Sequence, residues 1–139
     1  MYRALARSII NRFLEKPLIL ILKRLGVSPN LITILGLGIT LLSAYLISNG
    51  QFMIGGIVLI ISSTFDLLDG SLARSLGKVT VFGGVLDSLS DRIGEVAIFC
   101  GLLIFYIAEP MKLEIILVFF ALSGSLLVSY IRARAQAAS

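Results

Sequence analysis

Apolar residues run along this chain in four long blocks, and polar residues gather in the short stretches between them. The blocks cover approximately residues 29–49, 52–76, 81–108 and 113–135. A helix of about 20 apolar residues crosses a hydrocarbon core of about 30 Å, so each block predicts a membrane span. The separators carry turn chemistry. In KRLGVSPN, Gly26 reads as a helix stop, Ser28 as an N-cap and Pro29 as the first helical residue. SNGQ turns the chain after the first span and SLGKVT after the second. Ahead of the spans, residues 2–14 set Tyr2, Leu5, Ile9 and Phe13 on one side and Arg3, Arg7 and Asn11 on another. That spacing predicts an amphipathic helix lying in the membrane interface. The pattern as a whole predicts an all-α polytopic integral membrane bundle. Residues 1–25 form an N-terminal cytoplasmic interfacial segment and 26–139 the transmembrane domain.

Composition supports this class. Hydrophobic residues make up 58% of the 139 and charged residues 14%, where a soluble domain carries about a quarter charged. The mean hydropathy is +1.02. The net charge of +4 matters through its placement. Arg3, Arg7, Arg12, Lys16, Lys23 and Arg24 precede the first span, Arg74 and Lys78 flank the second turn, and Arg132 and Arg134 end the fourth block. By the positive-inside rule the N-terminus, the 74–80 turn and the C-terminus face the cytoplasm, in the cell membrane, and no nucleic-acid partner is expected. The run LILIL at 18–22 is too short for a signal-peptide core and no small-residue cleavage site follows it. Cys100 lies alone in an apolar run and reads as a small buried hydrophobe. The chain has no histidine, which excludes Ser-His and Cys-His nucleophiles. Acid or base chemistry therefore falls to carboxylates.

Every aspartate of the chain, Asp66, Asp69, Asp87 and Asp91, sits in the window DLLDGSLARSLGKVTVFGGVLDSLSDR. On an α-helix Asp66, Asp69, Gly70 and Ala73 share an arc of about 100°, and Gly83, Asp87, Ser90, Asp91 and Gly94 share another on the next helix. The small residues are expected to let the two helices approach closely and to leave space for a ligand. An ionised Asp at mid-membrane costs about 2.5–3.5 kcal/mol, so the cluster needs an offset. A hard divalent cation with oxygen ligands supplies one, and such a cation recruits diphosphates. Ion pairs with Arg74 and Arg92, or a cation pathway, are the alternatives.

Written as Asp66-x2-Asp69-Gly70-x2-Ala73-Arg74-x8-Gly83-x3-Asp87-x3-Asp91, the window resembles the complete signature of the CDP-alcohol phosphatidyltransferases. The resemblance runs from the N-terminal segment and SPNLIT through the fourth block. It implies transfer of a phosphatidyl-type group from a CDP-lipid to a hydroxyl of a polar acceptor, with release of CMP, in phospholipid biosynthesis by a homodimeric enzyme. Asp66, Asp69, Asp87 and Asp91 would ligate two Mg²⁺ or Mn²⁺ ions, and Asp91 would also act as general base. Gly70, Ala73, Arg74 and Gly83 would hold the CDP-lipid, together with Asn30 and Thr33 of SPNLIT.

The ending SYIRARAQ resembles the phosphatidylinositol-phosphate synthase branch, which implies that Arg132 and Arg134 take the phosphate of an inositol phosphate. Glycerol phosphate is the alternative acceptor, and a small cation-coupled membrane transporter the rival from another class. The family has six spans where four are expected here, so the domain is expected to be C-terminally incomplete.

Overall fold

The computed structural model describes residues 16–109 and 112–138, and those residues contain five helices and no strand. They are α1 (Lys16–Arg24), α2 (Pro29–Ser48), α3 (Phe52–Leu76), α4 (Val81–Ala108) and α5 (Lys112–Ala138). The interfacial helix expected over 2–14 lies outside the described residues.

The turns form where the sequence places them. Gly26 takes φ +66° between α1 and α2, and the Ser28 hydroxyl accepts from the Leu31 amide at 3.3 Å with Pro29 in the first helical turn. Gly77, at φ +64°, caps α3 in the left-handed conformation and returns its amide to Arg74. Thr80 then starts α4 by accepting from the Gly83 amide at 3.0 Å. Each device satisfies backbone groups that a helix end leaves unpaired.

Three of the helices, α2, α3 and α5, are long and apolar enough to cross a membrane. Of the four expected spans, α4 does not meet that measure of length and composition. α4 has the length, at 28 residues, but Asp87, Asp91, Arg92 and Glu95 occupy its N-terminal half and lower its apolar content.

α2 is the spine of the bundle. It packs extensively on both α3 and α4, whereas α3 and α4 barely touch each other. The expected close approach of the two acidic helices is therefore absent, and the small residues act elsewhere. A Cβ at Gly101 of α4 would lie 2.5 Å from the Ala44 carbonyl oxygen of α2, and one at Gly94 would lie 3.0 Å from Thr40. On the α3 side, a Cβ at Gly55 would meet Ile47 at 2.8 Å.

Hydroxyls tie the same interface together. Ser43 donates to the Gly55 carbonyl at 2.7 Å, Ser62 donates to the Gly36 carbonyl at 2.7 Å, and the Thr40 and Ser62 hydroxyls lie 2.6 Å apart. At about 0.6 kcal/mol each in membrane proteins, such bonds fix the rotation of one helix on another. Close contact of backbones supplies more of the attraction.

At the other end, Ile32, Leu68 and Leu72 form a buried cluster with Ile19, Leu22, Val27, Phe65 and Leu76 packed round it. Lys23 of α1 donates to the Ser75 carbonyl at 2.8 Å and fastens α1 to the end of α3. α5 docks on α4 and is exposed along most of its length.

Gly101→Ala is expected to push α2 and α4 apart and to destabilise the bundle by about 1–3 kcal/mol, read as a lower denaturation midpoint in detergent micelles. Gly56→Ala, where nothing lies within 4 Å of the added carbon, is the neutral control. Equal midpoints for the two variants would contradict the crossing.

Candidate active site

Because α3 and α4 splay from α2, a cleft opens between them and divides into two cavities. One, of about 250 Å³, lies near the Gly77 turn. The residues expected to hold a CDP-lipid meet there: Asn30 and Thr33 from the start of α2, Gly70, Ala73 and Arg74 from α3, and Gly83 from α4. Asp69 and Asp87 face the same space. The other cavity, of about 270 Å³, is lined by Asp66 and Asp91, with Thr40, Ser62, Ser90 and Glu95 among its polar walls. The four aspartates thus divide into two pairs, each drawing one member from α3 and one from α4.

Asp69 is the most fixed of them. It is buried, at 4% exposure. Its Oδ2 accepts from the Thr33 hydroxyl at 2.6 Å, and its Oδ1 accepts from the Gly70 amide at 2.5 Å. Thr33, itself buried, lies one turn into α2, so the Ser28–Pro29 helix start determines where this bond falls. The two glycines of the motif have definite neighbours. A Cβ at Gly70 would stand 3.3 Å from Arg74 Nη1, and one at Gly83 would stand 3.3 Å from Asn30 Oδ1. Gly70 therefore lets the Arg74 guanidinium lie over α3 at the cavity wall. Gly83 admits the Asn30 side chain between α2 and α4.

Among the described residues, no three acidic or cysteine side chains converge tightly enough to form a ready cage for a metal ion. The charge of Asp66 nevertheless feels those of Asp69, Asp87 and Asp91. The donor set fits a hard divalent ion. It consists of carboxylate oxygens, and none of these aspartates makes an ion pair among the described residues.

Neither Arg74 nor Arg92, the partners of the alternative reading, closes an ion pair with them. Arg74 donates to Ser71 at 3.0 Å. Arg92 pairs with Glu95 and donates to Ser129 of α5 at 2.7 Å.

Two expected residues, those taken for the acceptor phosphate, lie outside these two cavities. Arg132 and Arg134 are exposed on the last turns of α5 and line neither cavity. Conversely, Glu95 was not singled out by the sequence. Its carboxylate accepts from Ser125 and takes the Arg92 guanidinium. The signals were Arg92 and Glu95 three apart on α4 and Ser125 and Ser129 four apart on α5. Ser125 and Ser129 find polar partners in the same chain, Glu95 and Arg92. Cys100 is exposed on the helix surface, in place of the expected burial.

Residues 26–139 match the model of the CDP-alcohol phosphatidyltransferases, and the chain belongs to that family. Over 117 residues it is 42% identical to the archaetidylinositol phosphate synthase of Pyrococcus horikoshii, covering 84% of this chain and 60% of the relative. Over 119 residues it is 41% identical to the phosphatidylinositol phosphate synthase of Mycobacterium tuberculosis, covering 84% and 54%. Crystal structures of that mycobacterial protein are similar in fold. The one with CDP-DAG bound superposes with a TM-score of 0.81 at 39% identity, covering 91% of this chain and 64% of that one. The complex with manganese and citrate gives 0.81 at 39% identity, covering 90% and 61%. The chain thus spans between half and two thirds of the length of these relatives.

Thr33→Val retains the size of the side chain and removes the donor to Asp69. It is expected to lower stability by about 1–3 kcal/mol, the cost of stranding a buried acceptor, measured as the denaturation midpoint in micelles. An unchanged midpoint would show that Asp69 Oδ2 does not need the Thr33 hydroxyl.

Proposed function

We propose that this chain carries the donor-binding and metal-binding machinery of a phosphatidyltransferase that moves a phosphatidyl-type group from a CDP-lipid to inositol phosphate and releases CMP. One observation carries the reading. Residues distant in sequence, Asn30 and Thr33 on α2, Gly70 to Arg74 on α3 and Gly83 with Asp87 on α4, surround one cavity between helices. The names of the similar proteins point to the acceptor class, and the mycobacterial complexes with CDP-DAG and with manganese point to the donor and to a divalent ion.

In this reading the cavity near the Gly77 turn, the one lined by Arg74, receives the CDP head group. Arg74 faces the diphosphate, and Asn30 and Thr33 line the opposite wall. Asp66, Asp69, Asp87 and Asp91 hold Mg²⁺ or Mn²⁺, with two ions as the preferred count. A divalent ion bound there neutralises charge on the diphosphate and eases departure of CMP. Asp91, on the wall of the neighbouring cavity beside Asp66, takes the proton from the acceptor hydroxyl as that oxygen attacks the lipid-linked phosphorus. With no histidine in the chain, a carboxylate is the natural base. Arg132 and Arg134 are assigned to the acceptor phosphate.

α4 crosses as the third of four spans, its polar half turned to the cleft and to α5. The N-terminus, the 74–80 turn and the active site face the cytoplasm, where a soluble acceptor meets a donor whose tails remain in lipid. The enzyme works as a homodimer.

The test is CMP release from CDP-diacylglycerol in micelles supplied with Mg²⁺ or Mn²⁺ and an acceptor. Inositol phosphate is expected to support turnover and glycerol phosphate much less. Chelation of the metal should stop the reaction. Turnover with glycerol phosphate alone would reassign the acceptor, and no CMP with either would overturn the reading.

Asp91→Asn is expected to lower turnover at least about a hundredfold while CDP-lipid binding persists. Gly83→Leu, which places a side chain against Asn30, should abolish donor binding itself. Undiminished turnover in Asp91→Asn would remove it from the role of base.

A further inference from the structure

Glu95 is an acidic side chain of the cleft that the proposed chemistry does not use. It lies four residues beyond Asp91 on α4 and lines the same cavity as Asp66 and Asp91. At 100° per residue it projects about 40° round the helix from Asp91, while Arg92 projects about 100° in the same direction. Glu95 therefore stands between the cavity side of α4 and the side that meets α5, one turn further along. Its carboxylate takes the Arg92 guanidinium and accepts from the Ser125 hydroxyl. Arg92 reaches on to Ser129 at 2.7 Å. These four side chains make a polar clasp joining α4 to α5.

Arg92 follows Asp91 directly in sequence and makes no ion pair with it. A guanidinium in an apolar surrounding settles on whichever anion it can reach. The Arg92 charge already acts on Asp91, so without the Glu95 charge Asp91 is the carboxylate that draws the guanidinium. A guanidinium on Asp91 and a cation on Asp91 exclude each other.

We propose that Glu95 is a positioning residue that holds Arg92 on the α5 side and so keeps the Asp91 carboxylate open to a divalent cation. The inference rests on the metal reading given above. It differs from a packing role because the harm done by losing Glu95 comes from Arg92. Removing Arg92 as well should therefore undo it.

The test is titration of the full chain in detergent micelles with Mn²⁺, followed by the electron paramagnetic resonance signal of the free ion. Wild type, Glu95→Gln and the double variant Glu95→Gln/Arg92→Gln are compared. Glu95→Gln is expected to bind Mn²⁺ about tenfold more weakly, as loss of an outer partner of a metal site does, and the double variant to regain wild-type affinity. Wild-type affinity in Glu95→Gln would overturn the inference and leave the metal reading intact. A double variant as weak as the single one would also overturn it, since Glu95 would then be a ligand or a packing residue. Absence of Mn²⁺ binding by the wild type would remove the metal reading and the inference with it. If Glu95→Gln elutes as an aggregate, the double variant decides alone, with wild-type affinity as support and weaker binding as refutation.

Discussion

The site depends on α2 gripping two helices that do not grip each other. Gly101 seats α4 on the Ala44 backbone, and Gly55 of α3 and Gly36 of α2 let α3 sit against the face of α2 that carries Gly36, Ser43 and Ile47. Hydroxyl bonds from Ser43, Ser62 and Thr40 fix how the helices are rotated. With α3 and α4 both anchored to a third helix, their acidic faces look across a cleft. Direct packing of those faces would bring four carboxylates together in an apolar medium, which electrostatic repulsion opposes. Splaying avoids that contact and leaves space for ligands.

The same geometry explains why carboxylates persist in helices made largely of Ile, Leu and Val. Each ionised Asp placed against lipid would cost about 2.5–3.5 kcal/mol. Here they face a cleft with hydroxyl walls. Asp69 has a partner in Thr33, while the positive charges nearby are engaged elsewhere, Arg74 with Ser71 and Arg92 with Glu95. None of the four aspartates is ion-paired among the described residues, which leaves room for a bound cation to offset their charge. The family to which the chain belongs supplies the context for a diphosphate and a divalent ion in that role.

Much of this was legible in the sequence because it depends on local rules. Ser28–Pro29, Asn49–Gly50 and Gly77–Thr80 are turn signals that act over a few residues, and the helices begin and end at them. The carboxylate faces follow from helical spacing. The role of the glycines did not follow. Periodicity tells which residues share a face, and only tertiary contacts tell what that face meets. Gly70 and Gly83, expected both to let the acidic helices approach and to leave space for a ligand, line the cavity and make room there for Arg74 and Asn30. Glu95 was hidden for a similar reason, since its partner Ser125, and Ser129 that accepts from Arg92 beside it, lie on a helix thirty or more residues away.

Anomalous scattering from crystals of the full chain soaked in Mn²⁺ tests the central claim most directly. The account predicts density in the cleft between α3 and α4, with oxygens of Asp66, Asp69, Asp87 and Asp91 at about 2.0–2.6 Å, the range for hard cations with oxygen ligands. Density only at the outer surface, or carboxylates still divided with no ion between them at saturating Mn²⁺, would contradict it.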